Sequence, residues 1–314
     1  MTAGLAEMVG DYLRVRRALG YKLTHPGHVL TGFLDYLTAR GTDMVTIENA
    51  LGFATAPVGV SPRTQALRLS AIRGFAKWAH TMDPTVQVPP AGLLPARSTR
   101  AVPYIYSDDE ISALLGAASR LRPPVWAASF GALLALMAAT GIRTGEAIGL
   151  NMADFDEQAG TLTVTGKYGK VRMLPLHATV VHGVVEYLRQ RQRLLPAANC
   201  PALLISITGR RLCRTTVHLT FRGLADQVGL VAVSPACRPR LHDLRHTFSV
   251  NTMLDAYRPG GDPVRILPIL STWLGHVEPG DTYWYVTGTA ELLAAANARM
   301  ENLAAHDDHE TDPS

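Results

Sequence analysis

The chain has 314 residues, of which 47% are hydrophobic and 18% are charged, and its formal net charge at pH 7 is +4. This composition is typical of a folded globular protein and excludes a wholly disordered one, and the length allows two ordinary domains. No apolar run reaches the roughly 18 residues of a transmembrane helix, and the first residues lack the apolar stretch of a signal peptide. The three cysteines have neither an even count nor metal-ligand spacing. We therefore expect a cytoplasmic protein with no membrane partner.

The charges are unevenly distributed along the chain. Residues 1–106 carry 11 basic and 6 acidic side chains, whereas the segment from Glu301 onwards carries five acidic side chains and no basic one. A basic body with an acidic tail fits a polyanionic partner such as DNA. A basic protein with a solvated tail is the alternative that charge alone leaves open.

Residues 1–90 are predicted to form a helical domain. Two amphipathic segments end at Gly20 and Gly41, and a third helix begins with Ser61 as N-cap and Pro62 at the first helical position. This third helix carries basic side chains that suit contact with DNA phosphates, although a solvated helix face is an equally good interpretation of each. These side chains are Arg63, Arg68, Arg73 and Lys77.

A proline-rich stretch separates this region from the rest of the chain. Residues 83–107 contain five prolines without periodicity, which indicates an interdomain linker, placed at 91–106. The sequence SDDE from Ser107 to Glu110 is a capping box that opens a helix. A second domain is therefore predicted over 107–300, followed by a disordered acidic tail at 301–314.

The second domain is predicted to be helical around a small sheet. The segments TLTVTGK and VRMLPL alternate apolar and polar residues on either side of a turn, which is a β-hairpin pattern, and LLISI at 203–207 is a further candidate strand. Helices are predicted at 125–142, 177–195, 215–229, 242–257 and 263–274. Pro268 should kink or interrupt the last of them. The predicted fold class is mainly α with a small antiparallel β-sheet, in two domains.

Four polar clusters stand out in this second domain. Arg143 lies in ATGIRTGEAIGL, Lys167 ends the first hairpin strand, His242 and Arg245 share one helix face in RLHDLRHTF, and His276 lies in WLGH. Taken singly, each has an ordinary structural interpretation, such as an ion-pair partner, a solvated lysine or a hydrogen-bonded histidine.

The histidines also allow a metal-site interpretation. His242 and His246 have a zinc-ligand spacing, with His276 as a third candidate ligand. Against it, Asp243 replaces the glutamate of the usual metalloprotease motif, and the guanidinium of Arg245 would oppose cation binding. We predict no metal and no other cofactor.

In their order along the chain, these motifs resemble the tyrosine recombinase (phage integrase, Xer-like) family. The motifs are TGxRxGE, a TGK hairpin, HDLRHTF, LGH and a tyrosine nine residues after the last histidine. The resemblance covers the whole second domain, and the segment from LGHVEPGDTYWYV onwards is similar to the transposon-borne subgroup. The first domain is similar to the family's helical core-binding domain in position and character, and the second corresponds to its α+β catalytic domain.

The resemblance implies a site-specific DNA recombinase or integrase of the transposase type, which cuts and rejoins strands through a covalent 3′-phosphotyrosyl intermediate without metal or ATP. Two arginines would hold the phosphate, two histidines would assist, a lysine would protonate the leaving 5′-oxygen and a tyrosine would attack. In that order these are Arg143 and Arg245, His242 and His276, Lys167, and Tyr285. Glu146 would support the arginines, with an ordinary helix-start charge as the alternative, and Lys170 is the rival of Lys167.

Two tyrosines compete for the role of nucleophile. Tyr285 lies nine residues after His276, at the family spacing, whereas Tyr283 lies seven residues after it. In a helix, residues two apart point about 200° away from each other, so both cannot enter one pocket. Tyr285 is the preferred candidate, and Tyr283 is interpreted as a packing residue.

The implied partners are double-stranded DNA and further copies of this chain, as a dimer on each site and a tetramer in synapsis, together with a partner recombinase or a DNA-bending protein. Association with the nucleoid would follow. As in the family, the helix after Tyr285 is expected to pass to a neighbouring subunit. Two alternatives remain open: an inactive DNA-binding accessory factor of the same fold, and a type IB topoisomerase that relaxes DNA.

Overall fold

The computed structural model describes residues 2–56, 58–95, 102–166, 169–276 and 292–297. The chain forms two compact units, Met1–Arg100 and Ala101–Ser314, and this division falls inside the linker predicted at 91–106. The acidic segment 301–314, predicted to be disordered, lies outside the described residues. Within the described ranges, no helix has the length and apolar character that crossing a membrane requires.

Within its described part, the regular secondary structure of the first unit is entirely helical. Its helices are α1 (Thr2–Ala18), α2 (Thr24–Ala39), α3 (Ile47–Thr55) and α4 (Pro62–Ala79). The predicted start of α4 is confirmed, because Ser61 Oγ accepts the Thr64 amide at 3.2 Å and Pro62 occupies the first helical position. Helix α3 was not among the segments singled out from the sequence, and it is capped by Thr46, whose side chain accepts the Asn49 amide at 3.1 Å.

The second unit is also mainly helical. Its helices include α5 (Asp108–Ala118), α6 (Pro124–Thr140), α7 (Thr144–Gly149), α8 (Ala178–Leu194), α9 (Arg214–Gln227), α10 (Asp243–Tyr257) and α11 (Pro263–Leu274), and residues 292–297 are helical as well. The capping box that opens α5 is present: Ser107 Oγ accepts the Glu110 amide at 3.1 Å, and the Glu110 carboxylate accepts the Ser107 amide at 2.9 Å. Helix α11 continues through Pro268 as one element, so the interruption expected there does not occur.

A small antiparallel sheet lies in this second unit. Its strands β1 (Phe155–Asp156), β2 (Thr161–Thr165) and β3 (Val171–Pro175) are ordered β1-β2-β3, and Val164 of β2 pairs with Arg172 of β3. The predicted hairpin is thus β2 and β3. The strand predicted at 203–207 was wrong, because this stretch, in which only Leu203, Leu204 and Ile205 are buried, makes only an isolated bridge from Ile205 to Arg211. The fold class, mainly α with a small antiparallel sheet, is confirmed.

Helix α6 forms the centre of the second unit. It is apolar on nearly every side, and Phe130, Leu133 and Met137 are completely buried. It ends at Gly141, whose φ of +63° is readily adopted only by glycine. The chain can therefore turn sharply at this buried end, and it leads directly into α7.

Candidate active site

The corner between α6 and α7 carries the first arginine and its carboxylate partner. Arg143 is the N-cap residue of α7 and Glu146 lies in the first turn of that helix. The Glu146 carboxylate accepts both the Arg143 amide and Arg143 Nη1, each at 2.9 Å. This reciprocal pairing fixes the direction of the Arg143 side chain, which remains 28% exposed.

A second arginine, which sequence reasoning missed, also binds Glu146. Arg172 of β3 donates Nη2 to Glu146 Oε2 at 2.7 Å and Nη1 to Oε1 at 3.2 Å. Burial alone would raise the pKa of Glu146, but the hydrogen bonds from Arg172 and Arg143 outweigh it and lower the pKa to about 2. Glu146 is therefore a buried, ionised carboxylate between two guanidinium groups.

The C-terminal end of α11 supplies backbone acceptors to both predicted phosphate-binding arginines. The Leu274 carbonyl accepts Arg143 Nη1 at 3.3 Å and Arg245 Nη2 at 2.9 Å. The Gly275 carbonyl accepts Arg143 Nη2 at 3.4 Å. The last carbonyls of a helix lack intrahelical partners and carry partial negative charge, so they suit cationic side chains. The end of α11 thus brings Arg143 and Arg245 together.

Arg245 is the most deeply buried member of the site. Its side chain starts from α10, is 1% exposed and donates Nη1 to the Gly141 carbonyl at 2.8 Å. Its Nη2 also lies 2.8 Å from Nε2 of His276, the residue that follows the α11 cap Gly275. Gly275 has a φ of +66°, a conformation that turns the chain back so that His276 faces the arginine.

His242 lies at the N-cap of α10, next to the same arginines. Burial, together with the charges of Arg245 and Arg143, lowers the pKa of His242 to about 4. At neutral pH the ring is therefore uncharged and keeps one nitrogen able to accept a proton. This is the protonation state that a general base or a hydrogen-bond acceptor requires.

The start of α10 is held by a separate ion pair. Asp243 is fully buried and accepts three hydrogen bonds from Arg240, from its amide, Nε and Nη2, at 3.0, 3.0 and 2.7 Å. Burial raises the pKa of Asp243 despite these contacts. The pair fixes the turn that presents His242 and Arg245.

The three histidines of the metal-site interpretation lie among other polar groups. The rings of His242 and His246 are 5.1 Å apart and nearly perpendicular, and Nε2 of His276 contacts a guanidinium. Within the described ranges, no three His, Cys, Asp or Glu side chains converge as a metal site would require. The expectation that these histidines serve an arginine-based site is consistent with this arrangement.

Several predicted residues fall outside this cluster or outside the described residues. Lys167, Tyr283 and Tyr285 are outside the described residues. Lys170 is exposed, and its carbonyl accepts the Gly166 amide at 2.7 Å, which closes the hairpin. The structure therefore brings together Arg143, Glu146, His242, Arg245 and His276 from the predicted set, and it adds Arg172.

The basic residues predicted on α4 differ in their surroundings. Arg63 and Lys77 are exposed. The Arg68 guanidinium lies 4.0 Å from the centroid of the Phe53 ring. Arg73 donates Nε and Nη2 to the carbonyls of Pro89 and Pro90 at 2.8 and 2.9 Å. Arg63 and Lys77 are thus the α4 cations with the freest access to solvent.

The described part of the site has the electrostatics of an anion-binding centre. The cluster contains the guanidinium groups of Arg143, Arg172 and Arg245, of which Arg143 and Arg172 pair with the carboxylate of Glu146. Planar guanidinium groups match the oxygens of phosphate with paired hydrogen bonds. The cluster can therefore stabilise additional negative charge on a phosphate.

The chain is similar to known proteins over most of its length. The phage integrase family matches residues 106–290. A putative integrase/recombinase, y4rB of Sinorhizobium fredii, is 42% identical over 306 residues, covering 94% of this chain and 96% of that protein. The tyrosine recombinase XerD of Neisseria meningitidis serogroup B is 31% identical over 228 residues, covering 72% of this chain and 73% of XerD.

A solved structure shares the fold. The integrase of transposon Tn1549, in complex with transposon right-end DNA, superimposes with a TM-score of 0.65 at 16% identity, covering 96% of this chain and 99% of that one. The family match spans more than half of the chain and includes Arg143, Arg172 and Arg245. The protein belongs to the phage integrase family, the tyrosine recombinases.

Proposed function

We propose that the protein is a site-specific DNA recombinase of the transposon-borne type, which cuts and rejoins DNA strands through a covalent 3′-phosphotyrosyl intermediate. The observation that carries the proposal is the convergence of Arg143 and Arg245 on the Leu274 carbonyl, at 3.3 and 2.9 Å, beside His276. A single scissile phosphate can be held by both guanidinium groups when they are this close.

The reaction begins with attack on the scissile phosphorus. The phenolic oxygen of Tyr285 forms a bond to phosphorus while the bond from phosphorus to the 5′-oxygen breaks. The phenolic proton passes to the neutral ring of His242, and Lys167 donates a proton to the departing 5′-oxygen. Arg143 and Arg245 stabilise the negative charge that builds up on the non-bridging oxygens.

The second half of the reaction reverses the first with a different strand. A 5′-hydroxyl from another DNA end attacks the phosphotyrosyl phosphorus and releases the phenol. The ester bond lost in the first step is regained in the second, so no ATP is needed. The arginines supply the positive charge, and we therefore propose a reaction that proceeds without a metal ion.

The support for the Tyr285 assignment comes from spacing and from the described neighbours. His276 contacts Arg245, so the segment that follows His276 begins at the phosphate-binding arginines. A nucleophile a few residues further along the chain can reach the same phosphate.

The proposed partners follow from strand exchange. Joining two duplexes requires two sites, and each site exposes two strands, so we propose a dimer of this chain on each site and a tetramer in synapsis. The Tn1549 integrase, which resembles this chain in fold, is bound to transposon-end DNA, and we propose that this chain acts on the ends of a mobile element. A partner recombinase or a DNA-bending protein would assist assembly.

The test is to trap the covalent adduct. Wild type, Tyr285→Phe and Tyr283→Phe are incubated with nicked suicide DNA that carries the element's own end, in EDTA, and protein–DNA adducts are counted on denaturing gels. We expect an adduct from wild type and Tyr283→Phe and none from Tyr285→Phe, because phenylalanine lacks the hydroxyl oxygen that forms the bond to phosphorus.

Other results would change the proposal in defined ways. Adduct lost only in Tyr283→Phe would move the nucleophile and keep the mechanism. No adduct from wild type, with DNA binding intact, would contradict the enzymatic function and leave a DNA-binding accessory factor. Adduct that forms only after Mg²⁺ is restored would contradict metal independence.

A further inference from the structure

Arg172 is a buried guanidinium whose donors all face the candidate site. The side chain is only 12% exposed. Its Nη1 and Nη2 bind the two oxygens of Glu146 at 3.2 and 2.7 Å, and its Nε binds the Trp273 carbonyl at 2.7 Å. One side chain of the sheet thereby joins α7 to the end of α11.

The contacts of Arg172 reach both arginines of the proposed phosphate site. Glu146, held by Arg172, accepts two hydrogen bonds from Arg143. Trp273, whose carbonyl Arg172 binds, directly precedes Leu274, the shared acceptor of Arg143 and Arg245. The Trp273 indole in turn donates to the Thr140 carbonyl at the end of α6, at 2.8 Å.

Two glycines show how closely the backbone approaches this guanidinium. A Cβ placed on Gly275 would lie 3.0 Å from Arg172 Nη1. A Cβ placed on Gly166 would lie 3.3 Å from Glu146 Oε1 and 3.6 Å from Arg172 Nη1. Gly166 directly follows the last residue of β2 and directly precedes Lys167. The hairpin and the end of α11 therefore pack on the same ion pair from two directions.

We propose that Arg172 is a positioning residue: it fixes the hairpin that carries Lys167 against Glu146 and against the end of α11. This inference rests on the proposed function, in which Lys167 protonates the leaving 5′-oxygen. Arg172 itself touches no reacting atom. Without the Arg172 side chain the hairpin loses its contacts to Glu146 and to the end of α11. The rate of proton donation to the leaving group should therefore fall more than the affinity for the phosphate.

A change of leaving group separates this role from a merely structural one. In DNA with a bridging 5′-sulfur at the scissile phosphate, cleavage breaks the bond from phosphorus to sulfur and releases a thiolate. A thiol has a pKa near 8.5, as in cysteine, so the thiolate leaves without a proton from the enzyme. A variant whose general acid is misplaced should therefore regain cleavage rate on the sulfur substrate, whereas a variant whose phosphate site is damaged should not.

The experiment compares adduct formation on matched oxygen and sulfur suicide DNA for wild type, Arg172→Gln, Arg172→Lys and Lys167→Ala. On oxygen DNA we expect Arg172→Gln to slow cleavage ~10²-fold, the effect of about 1 Å of misplacement. The sulfur-to-oxygen rate ratio should rise at least ~10-fold above the wild-type ratio, as for the loss of a general acid in Lys167→Ala. Arg172→Lys keeps the positive charge but not the paired hydrogen-bond donors of a guanidinium group. It should therefore also raise the sulfur-to-oxygen rate ratio, but to a smaller extent.

Arg211→Gln is the matched control. Arg211 is a partly buried arginine at the opposite end of α7, where it donates to the carbonyls of Ile148 and Leu150 at 2.7 and 2.9 Å. Its loss disturbs the same helix without contact to Glu146 or the hairpin. Any slowing in Arg211→Gln should therefore be equal on the two substrates.

Two results would overturn the inference. If wild type forms adduct and both Arg172 variants are slowed equally on oxygen and sulfur DNA, Arg172 does not position the proton donor, and the proposed function stands. If wild type forms no adduct on either substrate, the proposed function fails and the role of Arg172 fails with it.

Discussion

At the scale of single residues, Glu146 is the carboxylate that joins the arginine-bearing helix to the sheet. It accepts hydrogen bonds from Arg143 and Arg172, and its side chain is only 6% exposed. Breaking a buried ion pair by removing one partner is costly, because the other charge stays buried. Its ionisation should therefore influence both stability and activity.

We expect Glu146→Gln to destabilise the protein by about 3 kcal/mol at neutral pH. The folded-state pKa of Glu146, about 2, lies below the ordinary value of 4.5. The ionised carboxylate therefore stabilises the fold fully above pH 4.5, and this contribution is lost as the pH falls towards 2. The free-energy difference between wild type and Glu146→Gln, from urea unfolding at several pH values, should narrow over that range.

Glu186→Gln provides the comparison for this experiment. Glu186 forms an exposed pair with Arg189, 3.8 Å apart, and such pairs contribute at most ~1 kcal/mol. A Glu146→Gln variant no less stable than Glu186→Gln at neutral pH would contradict the buried ion pair described here.

The residue scale also shows where sequence reasoning reached its limit. Arg143, His242, Arg245 and His276 could be identified because each lies in a short motif. Arg172 could not, because its partners Glu146 and Trp273 are 26 and 101 residues away in the chain. Its neighbours in VRMLPL indicate only a polar position in a strand, and contacts at such separations come from the fold.

At the scale of elements, local signals predicted helix starts well and buried segments poorly. Ser61 with Pro62 and Ser107 with Glu110 cap their helices through contacts within three residues, so the sequence contains the whole signal. In the run LLISI, Leu203, Leu204 and Ile205 are apolar and buried, and burial alone does not distinguish a strand from an irregular core segment. Helix α3 is only nine residues long, which is too short for a helical period to be clear in the sequence.

Helix α4 allows the proposed DNA-binding role of its basic residues to be tested. Arg63 and Lys77 are exposed, whereas Arg73 binds the carbonyls of Pro89 and Pro90. We expect Arg63→Ala and Lys77→Ala to leave the melting temperature unchanged and to reduce the salt slope of DNA binding by about 1 each. Arg73→Ala should lower the melting temperature instead, because two backbone carbonyls lose their donor.

The measurement is fluorescence anisotropy with duplex DNA over a range of salt, alongside thermal unfolding of each variant. Unchanged salt slopes in both Arg63→Ala and Lys77→Ala would exclude this face of α4 from the DNA interface.

At the scale of the whole molecule, the acidic residues 301–314 and the rest of the chain carry net charges of opposite sign. Residues 301–314 carry five acidic side chains and no basic one, and we expect this negative charge to compete with DNA for cationic side chains. Truncation after Met300 should strengthen binding to non-specific duplex DNA, most clearly at low salt where screening is weakest. Affinity measured at two salt concentrations tests this.

The control for the tail keeps its length and removes its charge. A chain in which the acidic residues from Glu301 onwards are replaced by Asn or Gln should bind DNA as tightly as the truncated chain. If this neutralised chain binds DNA with the affinity of wild type, the negative charge of residues 301–314 does not weaken DNA binding.

The end of α11 has a consequence for how this protein can diversify. The groups that gather Arg143 and Arg245 there are the carbonyls of Leu274 and Gly275, and every amino acid supplies a carbonyl. Mutation can alter the side chains along α11 without deleting these acceptors, provided that the helix still ends at this point with a residue that adopts a positive φ. The exposed side chains of α11 can therefore change during evolution and come to bind new partners, while the hydrogen bonds to the two arginines are retained.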